Sequence, residues 1–568
     1  MSTASEDRQR VAVVTGGGNG IGAAIATELG RAGVFVVTVD PLVSVDGVEQ
    51  LPDPEDTSTR DTTAGRIVAA GGSARSSSLS VTDREGVVRL FADLADELGG
   101  VDAVVNVAGI TRQMSYTEGT EDDWRSVLAV HLDGWLNVLE AALPVMAAQG
   151  HGHVLGVTSG SGWRPADTGA YGCAKRAVAS LVWQLGGLVP SGVVVNAVSP
   201  IAVTRMVLAA MERQRAATPQ QAQAKTSGLA LGARMPTPEQ LGPVGAHLVG
   251  PDFAACRGQV IFVAGAELAL VERPRLLEVV GTTGVASLAH ALESITATAL
   301  APAEAGQAST GGGNPRLAAA LGSVLEDGAE LPAPVGGSCL VVSDRPDVTS
   351  VLTAALGARG LSPRSVDAGT LDHSFAGTAA ALAEASEAGP VDAVVVALAG
   401  TAVAADLGPG WERTLAEHTG IAEQIYADAA WSRAVADQAN ASGRPVRLVT
   451  LTDAAGAGGR SRAQAVAQHA RSAKGATDGR LAAFAVAVET ADPGDLPAVG
   501  ELAAHLVGSP EAPALSGAEL VVGPGWLGLR SHPRVGASLS FHDHTVAPWL
   551  DDVLADLAGD SRPGGAPA

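Results

Sequence analysis

The sequence has few of the features expected of a secreted, membrane-spanning or nucleic-acid-binding protein. Its only cysteines, Cys173, Cys256 and Cys339, are far apart, which argues against a disulfide framework or a zinc site and predicts small buried side chains. No metal is expected. No apolar run reaches membrane-spanning length, and residues 1–10 do not resemble a signal peptide, so we expect a soluble, cytoplasmic protein. A net charge of −23 makes nucleic acid and anionic membranes unexpected partners.

What the chain does contain is enough apolar sequence for more than one hydrophobic core. Of its 568 residues, 46% are hydrophobic and 17% charged, which predicts two large globular domains. Short β-branched runs alternate with longer amphipathic segments rich in Ala and Leu. This alternation predicts an α/β fold, a Rossmann-like doubly wound parallel sheet with helices on both faces. The first strand candidates are 11–15, 34–40, 101–107, 153–158 and 193–198.

The same alternation returns in the second half of the chain. Residues 300–336 are rich in Ala, Gly, Pro, Ser and Thr, which predicts a linker between domains 1–299 and 337–545. The rest, 546–568, is expected to be a C-terminal tail with a disordered end. The later strand candidates are 339–343, 391–398, 446–451, 481–488 and 519–522.

Two sequence echoes indicate that the halves are tandem copies of one unit. Val-Asp-Ala-Val-Val begins at Val101 and again at Val391, and Ala-His-Leu-Val-Gly begins at Ala246 and again at Ala504. The offset falls from 290 to 258 residues, so the second copy is shorter by 32. We attribute this difference to the segment from about 204 to 236, which is expected to cover a substrate. An acidic, turn-rich stretch at 40–62 predicts a further insertion after the second strand.

A glycine-rich turn follows the first strand, in the sequence Gly16-Gly17-Gly18-Asn19-Gly20-Ile21-Gly22. Such glycines allow a tight turn and let backbone amides approach a pyrophosphate at the positive end of a helix. Asp40 ends the second strand, where a carboxylate can bind ribose hydroxyls and repel a 2′-phosphate. Because no Arg or Lys occupies positions 17–19 or 41, the sequence favours NAD(H) over NADP(H).

Three side chains with the chemistry of an alcohol dehydrogenase follow in order. Tyr171 and Lys175 are four residues apart and so share a helix face, where the ammonium should lower the pKa of the phenol. Ser159 ends a strand, where its hydroxyl could hold a substrate oxygen. The set predicts interconversion of an alcohol and a ketone. The alternative is a noncatalytic NAD-binding sensor or scaffold, which would need no proton donor.

With these motifs the first half resembles the short-chain dehydrogenase/reductase family. The resemblance implies that Tyr171 donates or accepts the proton, that Lys175 tunes it and holds the nicotinamide ribose, and that Ser159 orients the carbonyl. It also implies a segment from Ser199 to Thr204 that binds the carboxamide. The full set of expected cofactor-binding residues is Gly16, Gly18, Asn19, Gly20, Ile21, Gly22, Asp40, Ser80, Val81, Asn106, Ala108, Gly109, Tyr171, Lys175, Pro200, Ile201 and Thr204.

One departure from the family pattern affects catalysis. His131 stands where members usually have a catalytic Asn, and we expect it to serve the same relay as a fourth catalytic residue. The His, the insertion and the segment ending at Met206 together resemble the (3R)-hydroxyacyl thioester dehydrogenase units of multifunctional β-oxidation proteins. Terpene-alcohol dehydrogenases carry a similar insertion, so a terpenoid, steroid or polyketide alcohol stays open as the substrate.

The second half lacks the chemical motifs of the first. Ser343-Asp344-Arg345-Pro346 replaces the glycine turn, and no tyrosine lies four residues before Lys474. We therefore predict a degenerate, noncatalytic copy that supplies a partner surface within one chain, as family members normally pair. Two such pseudo-dimeric chains are expected to associate as a homo-oligomer, a pseudo-tetramer.

Overall fold

The computed structural model describes residues 8–49, 62–112, 114–165, 167–208, 235–283, 287–307, 331–400, 407–408, 410–541 and 545–559. Its strands, in chain order, are β1 (Val11–Thr15), β2 (Phe35–Val39), β3 (Ala74–Ser77), β4 (Ala103–Asn106), β5 (Gly152–Val157), β6 (Val193–Pro200), β7 (Val260–Ala264), β8 (Glu267–Glu272), β9 (Leu276–Gly281), β10 (Ser338–Ser343), β11 (Ser362–Asp367), β12 (Ala393–Ala397), β13 (Val446–Asp453), β14 (Leu481–Val488), β15 (Glu519–Gly523), β16 (Trp526–Arg530) and β17 (Arg534–Ser540). The helices are α1 (Gly20–Arg31), α2 (Thr63–Ala69), α3 (Arg84–Leu98), α4 (Glu121–Leu128), α5 (Gly134–Gln149), α6 (Gly169–Leu185), α7 (Pro238–His247), α8 (Leu288–Ile295), α9 (Ala301–Gln307), α10 (Pro346–Ala358), α11 (Phe375–Glu387), α12 (Trp411–His418), α13 (Ile421–Ser442), α14 (Ala457–Ala476), α15 (Leu496–Gly508) and α16 (Leu550–Ala558).

The strands form two doubly wound sheets, one in each half of the chain. The first sheet has the order β17-β8-β7-β6-β5-β4-β1-β2-β3, and the second has the order β11-β10-β12-β13-β14-β15-β16-β9. In both, the central strands are parallel and the last two at one edge are antiparallel. The predicted fold class and the tandem arrangement are therefore confirmed, and the predicted strands agree with the observed ones to within two residues.

Each sheet receives its last strand from the other half of the chain. After β8 the chain passes into β9, which pairs with β16 in the second sheet, with Val280 opposite Leu527. After β16 the chain passes into β17, which pairs with β8 in the first sheet, with Leu539 opposite Leu268. The exchange is reciprocal, and a Pro-Arg pair, Pro274-Arg275 in the first unit and Pro533-Arg534 in the second, lies where the chain leaves each sheet for the other.

The helices that follow the exchanged strands also pack on the opposite unit. Side chains of α8 lie in the core of the second sheet, and those of α16 lie in the core of the first. His247 of the first repeat bonds to Asp551 of α16, with Nε2 and Oδ1 2.6 Å apart. His505 of the second repeat lies 3.4 Å from Glu293 of α8, between Nδ1 and Oε1. The repeated Ala-His-Leu-Val-Gly thus supplies a polar contact to the exchanged helix in both units.

This exchange places the unit boundaries differently from the prediction of 1–299, 300–336, 337–545 and 546–568. Residues 276–307 belong with the second sheet, including α9 within the predicted linker, and β17 and α16 belong with the first. Sequence pattern follows the chain and carries no signal for which sheet an edge strand joins, so the exchange was not predicted. Most of the predicted linker (308–330) and the end of the tail (560–568) lie outside the described residues.

The two units pack through long helices, as predicted for an internal partner surface. Helix α6 lies along α14, and at their contact Arg176 Nη2 is 2.8 Å from Glu519 Oε2, with both side chains fully buried. The three cysteines are free and buried, which confirms their interpretation as small core residues. Among the described helices, none combines the length and the apolar character needed to cross a membrane.

Candidate active site

The glycine turn lies between β1 and α1, pressed against the end of β4. Gly16 and Gly20 have φ angles of +63° and +57°, which favour glycine. A Cβ at Gly16 would come within 2.8 Å of the backbone nitrogen of Ala108, and one at Gly22 within 2.3 Å of the carbonyl oxygen of Gly16. The turn is therefore built around missing side chains, and it leaves the N-terminal end of α1 facing a cleft.

Asp40 follows β2 directly and points back towards the glycine turn. Its Oδ2 accepts a hydrogen bond from the Gly18 backbone at 2.9 Å, and its Oδ1 accepts one from the Leu42 backbone at 2.9 Å. Each carboxylate oxygen offers two lone pairs, so acceptor capacity is left for a ligand hydroxyl. Ser80 and Val81 also line the cleft. Asn137 Nδ2 donates a hydrogen bond to the Val81 carbonyl at 2.9 Å.

Ser159 and Tyr171 are brought together at the end of β5. Ser159 follows the strand in extended conformation, and its Oγ accepts a hydrogen bond from the Ser161 backbone at 3.2 Å. Tyr171 comes from the first turn of α6, and its phenol lies close enough to the Ser159 hydroxyl for the two to interact. Burial raises the pKa of Tyr171, and the bond from Ser159 opposes this rise. The phenol is therefore protonated near neutral pH.

Lys175 lies one turn further along α6, beneath the tyrosine. Its Nζ donates a hydrogen bond to the Val157 carbonyl at 2.7 Å and is 5.7 Å from the centre of the Tyr171 ring. Burial lowers the pKa of Lys175 to about 7. The expected lowering of the tyrosine pKa is therefore wrong, because burial of the phenol dominates and raises its pKa.

His131 lies in a π-helical turn between α4 and α5 and packs edge-on against Tyr171, with ring centres 5.1 Å apart. Its Nε2 is 2.7 Å from the Ile110 carbonyl oxygen. Because a carbonyl only accepts, Nε2 carries the proton and Nδ1 is an acceptor, which finds no partner among the described residues. Burial, followed by the charge of Lys175, holds the pKa of His131 well below 6.5, so the ring is neutral.

These side chains line one cavity of about 620 Å³. Its walls contain the four expected catalytic residues and most of the expected cofactor-binding residues: Gly16, Asn19, Gly20, Ile21, Asp40, Ser80, Val81, Ala108, Gly109, Pro200 and Thr204. The other four expected cofactor-binding residues do not line the cavity. Gly18 and Gly22 shape the turn, Asn106 bonds to Thr15, and the Ile201 backbone bonds to Val263.

Three elements of this cavity could not be identified from sequence motifs. The start of the insertion after β2 forms one wall and is tied to the loop after β4, since the Thr111 backbone donates to the Val45 carbonyl at 2.8 Å. Arg112 is the second, and its Nε donates to the Asp46 carbonyl at 2.9 Å. Arg205, directly after Thr204, is the third. Most of the expected substrate-covering segment (209–234) lies outside the described residues.

In the second unit the corresponding site is filled by charged side chains. Asp344 replaces the glycine turn, and its Oδ1 accepts a hydrogen bond from the Ala399 backbone at 2.8 Å. Arg462 of α14 is fully buried against Asp428, with Nε and Oδ2 2.7 Å apart. It also donates to the carbonyls of Leu398 and Ala399, the repeat of Val107-Ala108. The second unit therefore has a carboxylate at the turn and a buried ion pair nearby, and its lack of catalysis stays a prediction.

Comparisons with known proteins identify the family to which the chain belongs. The model of the short chain dehydrogenase family matches residues 10–216. The short-chain reductase protein NovJ of Streptomyces niveus is 33% identical over 263 residues, which is 45% of this chain and 94% of that protein. An oxidoreductase of Staphylococcus epidermidis is 32% identical over 195 residues, 34% of this chain and 77% of its own. The chain therefore belongs to the short-chain dehydrogenase/reductase family, whose members are oxidoreductases that use nicotinamide cofactors.

The tandem arrangement also has a counterpart among solved structures. The N-domain of a bacterial malonyl-CoA reductase, crystallised with NADP, superimposes with a TM-score of 0.61 and 16% identity. The match covers 88% of this chain and 95% of that one. At this identity the likeness concerns the fold, and it shows that both units of the chain belong to one known architecture.

Proposed function

We propose that the first unit is an NAD(H)-dependent oxidoreductase that interconverts a secondary alcohol and a ketone, with Tyr171 as general acid and base. The supporting observation is the convergence of Ser159, Tyr171 and Lys175 on a cavity that also contains the glycine turn and Asp40. A protein that only binds a dinucleotide gains nothing from a buried proton donor. A 3-hydroxyacyl thioester is the substrate that we favour, from the sequence resemblance alone.

The residues around the cavity fit a dinucleotide. The glycine turn lacks the Cβ atoms that would obstruct the positive end of α1, which suits a pyrophosphate. Asp40 has acceptor capacity left for ribose hydroxyls, and its charge disfavours a 2′-phosphate. Lys175 and Thr204 also line the cavity, and they would hold the nicotinamide half. The bound nicotinamide would supply or accept hydride.

The chain's own residues handle the oxygen and the proton of the substrate. Ser159 orients the oxygen beside the phenol of Tyr171. In ketone reduction the protonated phenol gives its proton to that oxygen, and in alcohol oxidation the phenolate takes it back. His131 Nδ1 is an acceptor, and it would hold a water molecule between the His131 ring and Lys175. This would replace the relay of the usual Asn.

The test is NADH formation with a panel of secondary alcohols that includes 3-hydroxyacyl thioesters, terpenoids and steroids. We expect Tyr171→Phe to lower kcat by about 10²- to 10⁴-fold, the usual contribution of general acid-base catalysis, with NADH binding retained. Tyr426→Phe, which removes a phenol of the second unit outside the cavity, is the matched control. A Tyr171→Phe protein as active as wild type would refute the mechanism.

The cofactor assignment has its own test. We expect wild type to have a higher kcat/KM with NAD(H), and Asp40→Ser to lower it by about tenfold because hydrogen bonds to the ribose are lost. The same variant should gain activity with NADP(H), since the repulsion of the 2′-phosphate is gone. A wild-type preference for NADP(H) would contradict the assignment to Asp40.

A further inference from the structure

Helix α14 of the second unit packs against α6 of the first unit. Its side chains also contact a part of the first unit outside α6. Its side chains Gln464 and Gln468 are one turn apart and both bond to Arg176, Gln464 through Oε1 at 2.9 Å and Gln468 through Oε1 at 3.4 Å. Gln464 then continues to Glu519 within the second unit. Gln468 instead turns towards the loop that separates β5 from α6.

This loop, residues 160–165, starts directly after Ser159. Gln468 Nε2 donates to the carbonyl of Ser161 at 3.1 Å and to the carbonyl of Arg164 at 2.9 Å. One turn later, Arg471 Nη1 donates to the carbonyl of Trp163 at 3.0 Å. Three carbonyls of an active-site loop are thus bonded to side chains of the copy that has lost its own site, and Gln468 is 1% exposed.

The loop is coupled to the catalytic hydroxyl through its own backbone. The amide of Ser161 donates to Ser159 Oγ at 3.2 Å, and the amide of Gly162 donates to the Ser159 carbonyl at 2.9 Å. A shift of Ser161 therefore moves the hydroxyl that interacts with the phenol of Tyr171. The indole of Trp163 donates to Ser199 Oγ at 3.3 Å and ties the same loop to the end of β6.

The second unit also holds the loop on the other side of this region. Arg433 of α13 donates to the carbonyls of Tyr116 and Gly119 at 3.3 and 3.2 Å, and Ser432 bonds to the Tyr116 hydroxyl. The Tyr116 amide in turn donates to the carboxylate of Asp167, just before α6. The second unit thus makes hydrogen bonds to two segments near the start of α6, residues 116–119 and residues 160–165.

We propose that Gln468 and Arg471 are positioning residues for the reaction in the first unit, holding the 160–165 loop so that Ser159 stays in bonding distance of Tyr171. This rests on the proposed function of the first unit. The degenerate copy then takes part in catalysis through three hydrogen bonds. Displacement of reacting groups by about 1 Å can lower rates by about 10²-fold, so bonds of this kind affect kcat.

Gln468→Glu is the sharpest variant because it keeps the size of the side chain and an acceptor for Arg176. It removes both N–H donors and faces the carbonyls of Ser161 and Arg164 with a carboxylate. We expect kcat to fall at least tenfold, with the affinity for NADH within twofold of wild type. Because the Ser159 bond helps to keep the pKa of Tyr171 down, the rise of alcohol oxidation with pH should move to higher pH.

Gln464→Met is the matched control, from the same helix and the same interface with Arg176 but without a bond to the loop. It should keep both kcat and the pH profile of wild type, even if the protein becomes less stable. Arg471→Gln is the second test variant, and it removes the bond to the Trp163 carbonyl together with a charge that interacts with Glu304 and Glu519. Equal losses of kcat in Gln464→Met and Gln468→Glu would reduce the role of Gln468 to interface stability and overturn the proposal.

Hydrogen-deuterium exchange of the full-length proteins separates this proposal from the proposed function. In peptides covering 159–165, amide exchange should be faster in Gln468→Glu and Arg471→Gln than in wild type or Gln464→Met. If wild type oxidises none of the alcohols, the proposed function fails and the exchange data alone decide whether the loop is held. Unchanged exchange and unchanged kcat in both test variants would overturn the inference.

Discussion

Three ionisable side chains of the catalytic cavity, Tyr171, Lys175 and His131, are 9%, 4% and 3% exposed. Their burial favours the neutral form of each: the phenol of Tyr171 and the ring of His131 are neutral near pH 7, and the pKa of Lys175 is lowered to about 7.

The stability of the ligand-free protein should show this property of Lys175. Its pKa is about 7 in the folded state and near 10.4 in an unfolded chain, so the unfolded state binds more protons between these values. The free energy of unfolding should therefore rise with pH from 7 to 10, by up to about 1.4 kcal/mol per pH unit. Urea unfolding of wild type and Lys175→Met between pH 7 and 10 measures this rise in the free energy of unfolding. The contribution of Lys175 to the rise should be absent from Lys175→Met. Lys474→Met, at an exposed lysine, is the control, and parallel curves for Lys175→Met and wild type would contradict the expectation.

The spacing of single residues predicted which side chains meet, but not how they ionise. Tyr171 and Lys175 share a helix face whatever the rest of the chain does, so their proximity could be predicted from their spacing of four residues. The pKa directions depend on how completely α6 is covered, which no local pattern records. Arg112, in the loop after β4, and Arg205, in a helical segment directly after Thr204, also line the cavity, and neither lies in a motif whose spacing has a known role.

At the scale of helices and strands, α6 and α14 carry the contact between the two units. The Arg176 and Glu519 pair at their interface is fully buried, and Gln464 satisfies a further donor and acceptor. Such a pair is costly to break because the remaining charge has no access to water. The sequence repeats showed that β4 and β12 are corresponding strands of the two units, whereas the contact between α6 and α14 could not be predicted from either repeat alone.

Arg176→Met should destabilise the protein by about 3–5 kcal/mol because it leaves Glu519 buried beside the lost charge. The control is Arg89→Met, which breaks an exposed pair with Glu85 and should cost at most about 0.5 kcal/mol. Denaturant unfolding monitored by circular dichroism gives both values. Equal, small effects of the two substitutions would mean that the interface pair contributes little.

At the scale of the whole molecule, two copies of one fold have become inseparable through the exchange of β9 and β17. Each sheet is completed at one edge by the other half, and each core is covered by the other half's last helix. The sequence repeats predicted the duplication, since the copies share strand order and the Ala-His-Leu-Val-Gly segment. Association of two chains into a pseudo-tetramer stays a prediction.

A fragment ending at residue 299 should therefore fail to fold as an independent domain. It would lack β17 along β8, and it would expose the apolar surface that Leu550 and Leu554 cover. We expect aggregation on size-exclusion chromatography, and recovery of soluble protein when residues 300–568 are produced alongside. A soluble monomeric fragment with the cooperative unfolding of the full chain would contradict this expectation.

The exchange also bears on how the protein is made. Synthesis runs from the N-terminus, and domains usually fold as they leave the ribosome. Here the edge strand of the first sheet ends at Ser540, in the second half of the chain. The first unit is translated before the second, yet its sheet stays one strand short until residue 540 has been made, so a ribosome that stalls between residues 337 and 540 leaves the first sheet without its edge strand.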